Sequence, residues 1–257
     1  NAEPFYDKIK RSLRHTPFIH ADETGWMRYW LWVFTNPLIA FYHIDQSRAS
    51  RVVTDHLGEY YRGILHSDFY PVYNNPIMAY AKQKCCSHLL KDIKNLLKDL
   101  SKDKENDNAR AKAFLNKLKL IIQDAIRLHS EYSDEMPRDE WRTRKRKIKS
   151  RFRKLYNQDP VSHTETETLR ERIIKHKYEI FTFLIYPDKA FPTNNFAEQS
   201  LRNLVIFRKI TFGSQSDQGR KNVSIIATVI RTAKLQKLDP VKILRQLVTE
   251  GVTPEFL

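Results

Sequence analysis

The chain holds only two cysteines, and they are neighbours, Cys85 and Cys86. Adjacent cysteines rarely form a useful disulfide, which excludes a disulfide-stapled scaffold and reads as a reducing, cytoplasmic compartment. No apolar run approaches the ~20 residues that span a bilayer, and no secretory signal stands at the start. Asn rather than Met comes first, which reads as a fragment or a processed product. Glycine is scarce, 6 residues in 257 against 29% charged ones, so regular structure joined by short turns is expected. Acidic residues are the minority charge: 45 Lys and Arg against 30 Asp and Glu leave a formal net charge of +15. That excess calls for a polyanionic partner, nucleic acid ahead of a membrane surface. A hydrophobic fraction of 41%, with 12% aromatics, excludes a disordered polycation.

Three strands are expected over residues 17–45: "PFIHADE", "RYWLWVFTN" and, after an Asn-Pro turn, "LIAFYHID". Residues 47–61 read as a helix with Val52, Val53 and Leu57 on its apolar side, ended by Gly63. "GILHSDFYPVY" reads as a fourth strand and "YAKQKCCSH" as a fifth, leading into the helix "LLKDIKNLLKDL". This order is that of a mixed α/β fold with parallel crossovers. After the polar break "SKDKENDNAR", three helical patterns follow. They run through Phe114, Leu118, Ile121, Ile122 and Ala125; Trp141, Ile148, Phe152 and Leu155; and Leu169, Ile173, Ile174, Phe181 and Leu184. "FPTNNFAEQSLRNL" starts a new helix capped by Thr193 or Asn194, a long helix follows Gly213 and Gly219, and Asp239 caps a last one. The expected organisation is a core over 1–100, a basic helical insertion over 101–190, and the end of the core over 191–257.

The acids at strand ends carry the chemistry. If the first and fourth strands are parallel neighbours, Asp22 and Asp68 lie side by side and repel unless a cation or proton sits between them. Magnesium suits such a pair, since it takes carboxylate oxygens and keeps several waters. Glu198, in the first turns of its helix with Arg202 one turn on, is the candidate for a third ligand. Such a site serves phosphodiester chemistry. Any one of these acids alone is usually a solvated or capping residue.

"HADET" at 20–24, "HSDFYPVY" at 66–73 and "TNNFAEQSLR" at 193–202 resemble the three acidic blocks of DDE transposases, most nearly those of the bacterial insertion sequence 66 family. "RKITFGSQSDQGRKNVSIIATVIRTAKLQKLDP" resembles the segment that follows the glutamate there. The resemblance covers roughly residues 17–90 and 190–245 and is weak or absent in the helical insertion. It implies a ribonuclease H-like fold, with the insertion placed before the third catalytic carboxylate. It also implies Asp22, Asp68 and Glu198 as a catalytic triad holding two Mg²⁺ or Mn²⁺ ions. The implied activity is strand cleavage at element ends followed by strand transfer, carried out by a homo-oligomer on paired ends in association with the nucleoid. Phe69 stands where the family has glycine, which would reshape the substrate side.

Cys85-x-x-His88 is half a zinc motif without its other half, and reads as a buried thiol beside a helix-start histidine. A similar pair occurs in several DDE transposase groups, so Cys85, His88, Asn194 and Asn195 are taken as structural support near the site. Residues 138–154 hold ten basic and two acidic residues, usually the mark of a solvated face. At this density the stretch reads as a DNA contact, through Arg142, Arg144, Arg146 and Lys147 to the phosphates. Arg202, Arg208 and Lys209 are candidates to hold the strand nearer the acids. Two rivals stand beside this reading. One is a ribonuclease H-like nuclease that cuts without joining; the other is a non-enzymatic DNA-binding protein of transposase descent. A metal-independent carboxylate hydrolase is more remote.

Overall fold

The computed structural model describes residues 2–75, 77–102 and 108–249. They divide into two compact units, one running to Lys82 and resuming at Asn194, the other spanning Gln83–Thr193.

The first unit is built on a meander of aromatic and β-branched residues: Phe18–Trp26 (β1), Tyr29–Thr35 (β2) and Ala40–Asp45 (β3). These pair antiparallel, Asp22 with Val33 and Val33 with Tyr42. Tyr61–Ser67 (β4) lies parallel to β1, and Ala79–Lys84 (β5) completes the order β3-β2-β1-β4-β5. The mixed five-stranded sheet with flanking helices is consistent with the expected ribonuclease H-like class. β1 runs three residues beyond the expected "PFIHADE", because Glu23 to Trp26 go on pairing with β2.

One sheet face packs under Glu3–Leu13 (α1) and Ser50–Leu57 (α2), with Trp32, Phe34 and Phe41 in its core. α1 was not expected from the sequence. Its signal is Pro4 at the start and Phe5, Ile9 and Leu13 at helical spacing, all fully buried. The other face carries Asn195–Thr211 (α7), whose Ala197 and Leu201 pack on Trp26, Leu31, Val33 and Tyr42. Asp217–Leu235 (α8) runs along the outer edge of β3, where Thr228 and Thr232 hydroxyls accept from the Tyr42 and Ala40 amides. Tyr6 and Thr232 donate to the carbonyls of the same two residues. An exposed edge strand is a template for unwanted pairing, and these side chains satisfy it. Pro240–Thr249 (α9) follows, with the Asp239 carboxylate accepting from Val241 N as expected of a cap.

α2 ends at Leu57 with Gly58 at φ +89°, so Gly63 does not end it; Gly63 lies inside β4. A Cβ there would stand 2.5 Å from the Tyr61 ring and 2.7 Å from the Pro17 carbonyl oxygen. Tyr61 cannot step aside cheaply, because its hydroxyl donates to the Thr16 carbonyl at 2.7 Å. Gly63→Ala is therefore expected to cost about 1–3 kcal/mol, the range for overpacking a filled site. Urea unfolding checks this, and an unchanged midpoint refutes it.

The second unit is helical: Cys86–Lys102 (α3), Ala109–Ser130 (α4), Arg138–Tyr156 (α5) and Thr164–Lys175 (α6). The apolar positions expected on α4 and α5 are all buried. The third pattern does not stay on one helix. α6 stops at Lys175, and Phe181 and Leu184 are buried around a 3₁₀ turn at Thr182–Leu184. Gly219 lies inside α8 rather than before it. Part of the polar break, 103–107, falls outside the described residues. Among the described residues no helix is long and apolar enough to cross a membrane.

Candidate active site

Side chains alternate across β1. Ile19 and Ala21 join the core under α1 and α2, while Trp26 joins the one under α7. By this alternation Asp22 points to the α7 side and Glu23 to the other. Parallel pairing with β4 brings His20 level with His66. Two residues on, the same register carries Asp22 and Asp68, at the point where β4 has ended at Ser67. Asp68 thus stands just past the end of β4, while Asp22, expected at a strand tip, lies in the middle of β1, just beyond its pairing with β4 and still paired with β2; both are half-buried. Glu198 comes from the first turn of α7, on the same face, and is exposed.

The arrangement stores charge repulsion. Burial first, then the charges of Glu23, Asp68 and, more weakly, Glu198 push the Asp22 carboxyl up from 3.8 to about 7. The Glu23 amide donates to Asp22 Oδ1 at 2.9 Å and opposes the rise. The Tyr70 amide donates to Asp68 Oδ1 at 2.8 Å. Carboxylate oxygens such as those of Asp22 and Asp68 are the donors a hard divalent cation takes.

Asn194 ties the third acid to the first. It is buried at the N-cap of α7, where its carbonyl accepts from Glu198 N at 3.2 Å. Its amide nitrogen donates to the Ala21 carbonyl at 2.9 Å, which turns Oδ1 toward His20 Nδ1 at 3.0 Å. His20 therefore carries its proton on Nδ1. Burial lowers its pKa to about 4, against the pull of the Asn194 bond. It stacks on the equally buried His66 with ring centroids 4.0 Å apart. A neutral, stacked imidazole pair thus fills the floor two residues before each aspartate. Tyr42 pins the helix further on, donating to the Ser200 carbonyl at 2.8 Å.

Glu23 adjoins Asp22 but is held from the other side of the sheet. Its Oε1 meets Arg48 at 2.9 Å, and Tyr73 donates to its Oε2 at 2.5 Å. The Arg48 guanidinium lies 4.2 Å from the Trp30 ring centroid and 3.7 Å from that of Tyr70. No short spacing links these residues, so no local pattern announces them. Their effect is to clamp the Asp68–Tyr73 segment to β1.

The expected basic contacts separate into two kinds. Arg202, Arg208 and Lys209 lie on α7 with no acidic partner among the described residues. On α5, Arg142 pairs with Asp139, and Arg144 with Glu131 and Glu140. Arg146 and Lys147 are exposed. Cys85 is buried just after β5 and His88 lies in the first turn of α3; neither Cys85 nor Cys86 is in a disulfide. Asn195 is exposed and Phe69 half-buried.

Residues 1–222 match the family model described as "Transposase IS66 family". The chain is also 23% identical over 280 residues to the "Uncharacterized protein y4hP" of Sinorhizobium fredii (strain NBRC 101917 / NGR234). That match covers 92% of this chain and 48% of the relative, so the chain spans about half of the relative's length. No solved structure matches the chain. With most of its length, Asp22, Asp68 and the α7 glutamate inside the matched span, this chain belongs to the IS66 transposase family.

Proposed function

We propose that this chain is the catalytic part of a DDE transposase, cutting DNA at element ends and joining the freed strand to a target by in-line phosphoryl transfer. What supports the reading is that Asp22 and Asp68 follow one register on adjacent parallel strands, and that the charges of Glu23, Asp68 and, more weakly, Glu198 reach the Asp22 carboxyl. Repulsion of this kind destabilises the empty protein and is relieved when a cation binds. Membership of the family implies a divalent metal, and these residues would hold it, as two Mg²⁺ or Mn²⁺ ions. When bound, such ions supply an activated attacking oxygen and charge stabilisation at the phosphate. The chain's own groups do the rest. Asn194 and the His20–His66 pair hold Glu198 and the two strand ends in register. Arg202, Arg208 and Lys209 neutralise the phosphates of a strand lying across the carboxyl ends of β1 and β4. Asn195 supports this surround, and paired DNA ends would bring the chain together as a homo-oligomer.

The test is manganese soaked into crystals of the 257-residue chain, grown with and without a DNA duplex, with anomalous scattering recorded. A peak between Asp22 and Asp68, within reach of Glu198, is the expected result. Its absence in both crystals at saturating manganese overturns the reading. Joined strand-transfer product then separates a transposase from a nuclease that only cuts.

A further inference from the structure

On α5, Arg146, Lys149 and Arg153 recur at helical spacing and so share a face. Together with Tyr156, Lys177 and Tyr178 they line an open groove of about 570 Å³ within the helical unit. Phe152 and Phe181, with ring centroids 4.9 Å apart, make its apolar floor. No acid lines it, and none of its four cations has an acidic partner among the described residues. Their neighbours on the same helix differ: Arg142, Arg144 and Arg151 are each engaged by a carboxylate. Tyr178 is 81% exposed, an unusual position for so large a ring. The Lys177 ammonium stands 5.3 Å from its centroid and 5.7 Å from that of Tyr156.

We propose that this groove binds an unpaired DNA strand, with its phosphates on Arg146, Lys149 and Arg153 and a base stacked on Tyr178. Unneutralised like charges around a concave surface call for a polyanion. The volume lies in the range of sites that take a ligand of nucleotide size. The aromatic ring decides between strand types. A duplex keeps its bases stacked inside and offers only backbone to such a groove. An unpaired strand offers ring faces, and an aromatic beside cations is the usual platform for them. The inference rests on DNA as the chain's partner, but not on the chemistry at Asp22.

The experiment is fluorescence anisotropy of the 257-residue chain with a labelled single-stranded oligonucleotide and with its duplex, over a range of salt. Lys149→Glu with Arg153→Glu is expected to weaken single-strand binding at least tenfold. It should also flatten the salt slope by about 1.4, from about 0.7 per lost phosphate contact. Tyr178→Ala, at an exposed position, should weaken single-strand binding by about five- to a hundredfold and duplex binding less than twofold. It should also abolish quenching of a 2-aminopurine base in the strand. Equal losses on single strand and duplex, with Tyr178→Ala silent, would mean a backbone-only groove and overturn the proposal. Unchanged DNA binding in the charge variant, with a change in its mass by light scattering, would assign the groove to a second copy of the chain. No DNA binding by the wild type at any salt would remove the partner itself, while manganese at Asp22 would stand or fall separately.

Discussion

Asp22→Asn should abolish manganese binding at the strand ends and, without metal, make the protein more stable at pH 8. The two effects share one cause. The folded protein holds the Asp22 carboxyl near 7, against 3.8 for the free side chain, because burial and then Glu23, Asp68 and Glu198 disfavour its charge. Below about pH 4 the group is protonated in both folded and unfolded chains and contributes nothing. As pH rises from there to about 7, the unfolded chain ionises first and stability is lost; above about 7 the whole penalty is present. A rise of this size corresponds to a penalty on the order of 4 kcal/mol. Asparagine removes that penalty, so urea midpoints of wild type and variant should differ little at pH 4 and favour the variant at pH 8. A wild type whose stability does not fall between pH 5 and 7 refutes the argument. The same proton must leave before metal binds, so manganese affinity should drop about tenfold per pH unit below 7. Strand cleavage by the variant should fall roughly a thousandfold or more, since several kcal/mol of charge stabilisation go with the ligand.

Arg48→Ala should be among the most destabilising single changes outside the apolar core. It strips the cationic partner from Glu23, whose side chain is only 2% exposed. Removing one member of a buried pair leaves an uncompensated charge, at a cost of about 3–5 kcal/mol. Arg48 is itself 34% exposed, so water can follow the deletion and the lower figure is expected. The rings of Trp30 and Tyr70 also lose the guanidinium between them. Adding Glu23→Gln should recover much of the loss, because a neutral amide can keep the Tyr73 hydroxyl without a stranded charge. A double-mutant cycle in urea checks this; simple additivity would show that the pair is not coupled. Amide exchange in residues 68–73 should rise in Arg48→Ala, since the clamp on that segment is gone.

The main outlines of this protein are local properties of its chain. Alternating aromatic and β-branched residues over 18–45 dictate paired strands, and the apolar spacing on α4 and α5 dictates buried faces. In both cases consecutive side chains decide which way the backbone can turn. Asp68 was legible for the same reason, standing where an apolar strand run meets a polar turn, whereas Asp22 lies inside a strand that runs on to Trp26. What the chain could not show locally is which distant groups meet. Phe181 and Leu184 continue the period of α6, yet they are buried around a separate turn. Glu23 looked like part of a polar tip until β1 was seen to continue to Trp26, with Arg48 and Tyr73 coming from elsewhere to hold it. The basic run on α5 is uniform as letters, but Glu131, just after α4, and Asp124 of α4 neutralise Arg144 and Arg151, while Arg146, Lys149 and Arg153 face no acid among the described residues. Backbone periodicity is set by neighbours within a few residues. The partner of a long charged side chain is set by whatever element packs opposite, and only the tertiary structure decides that.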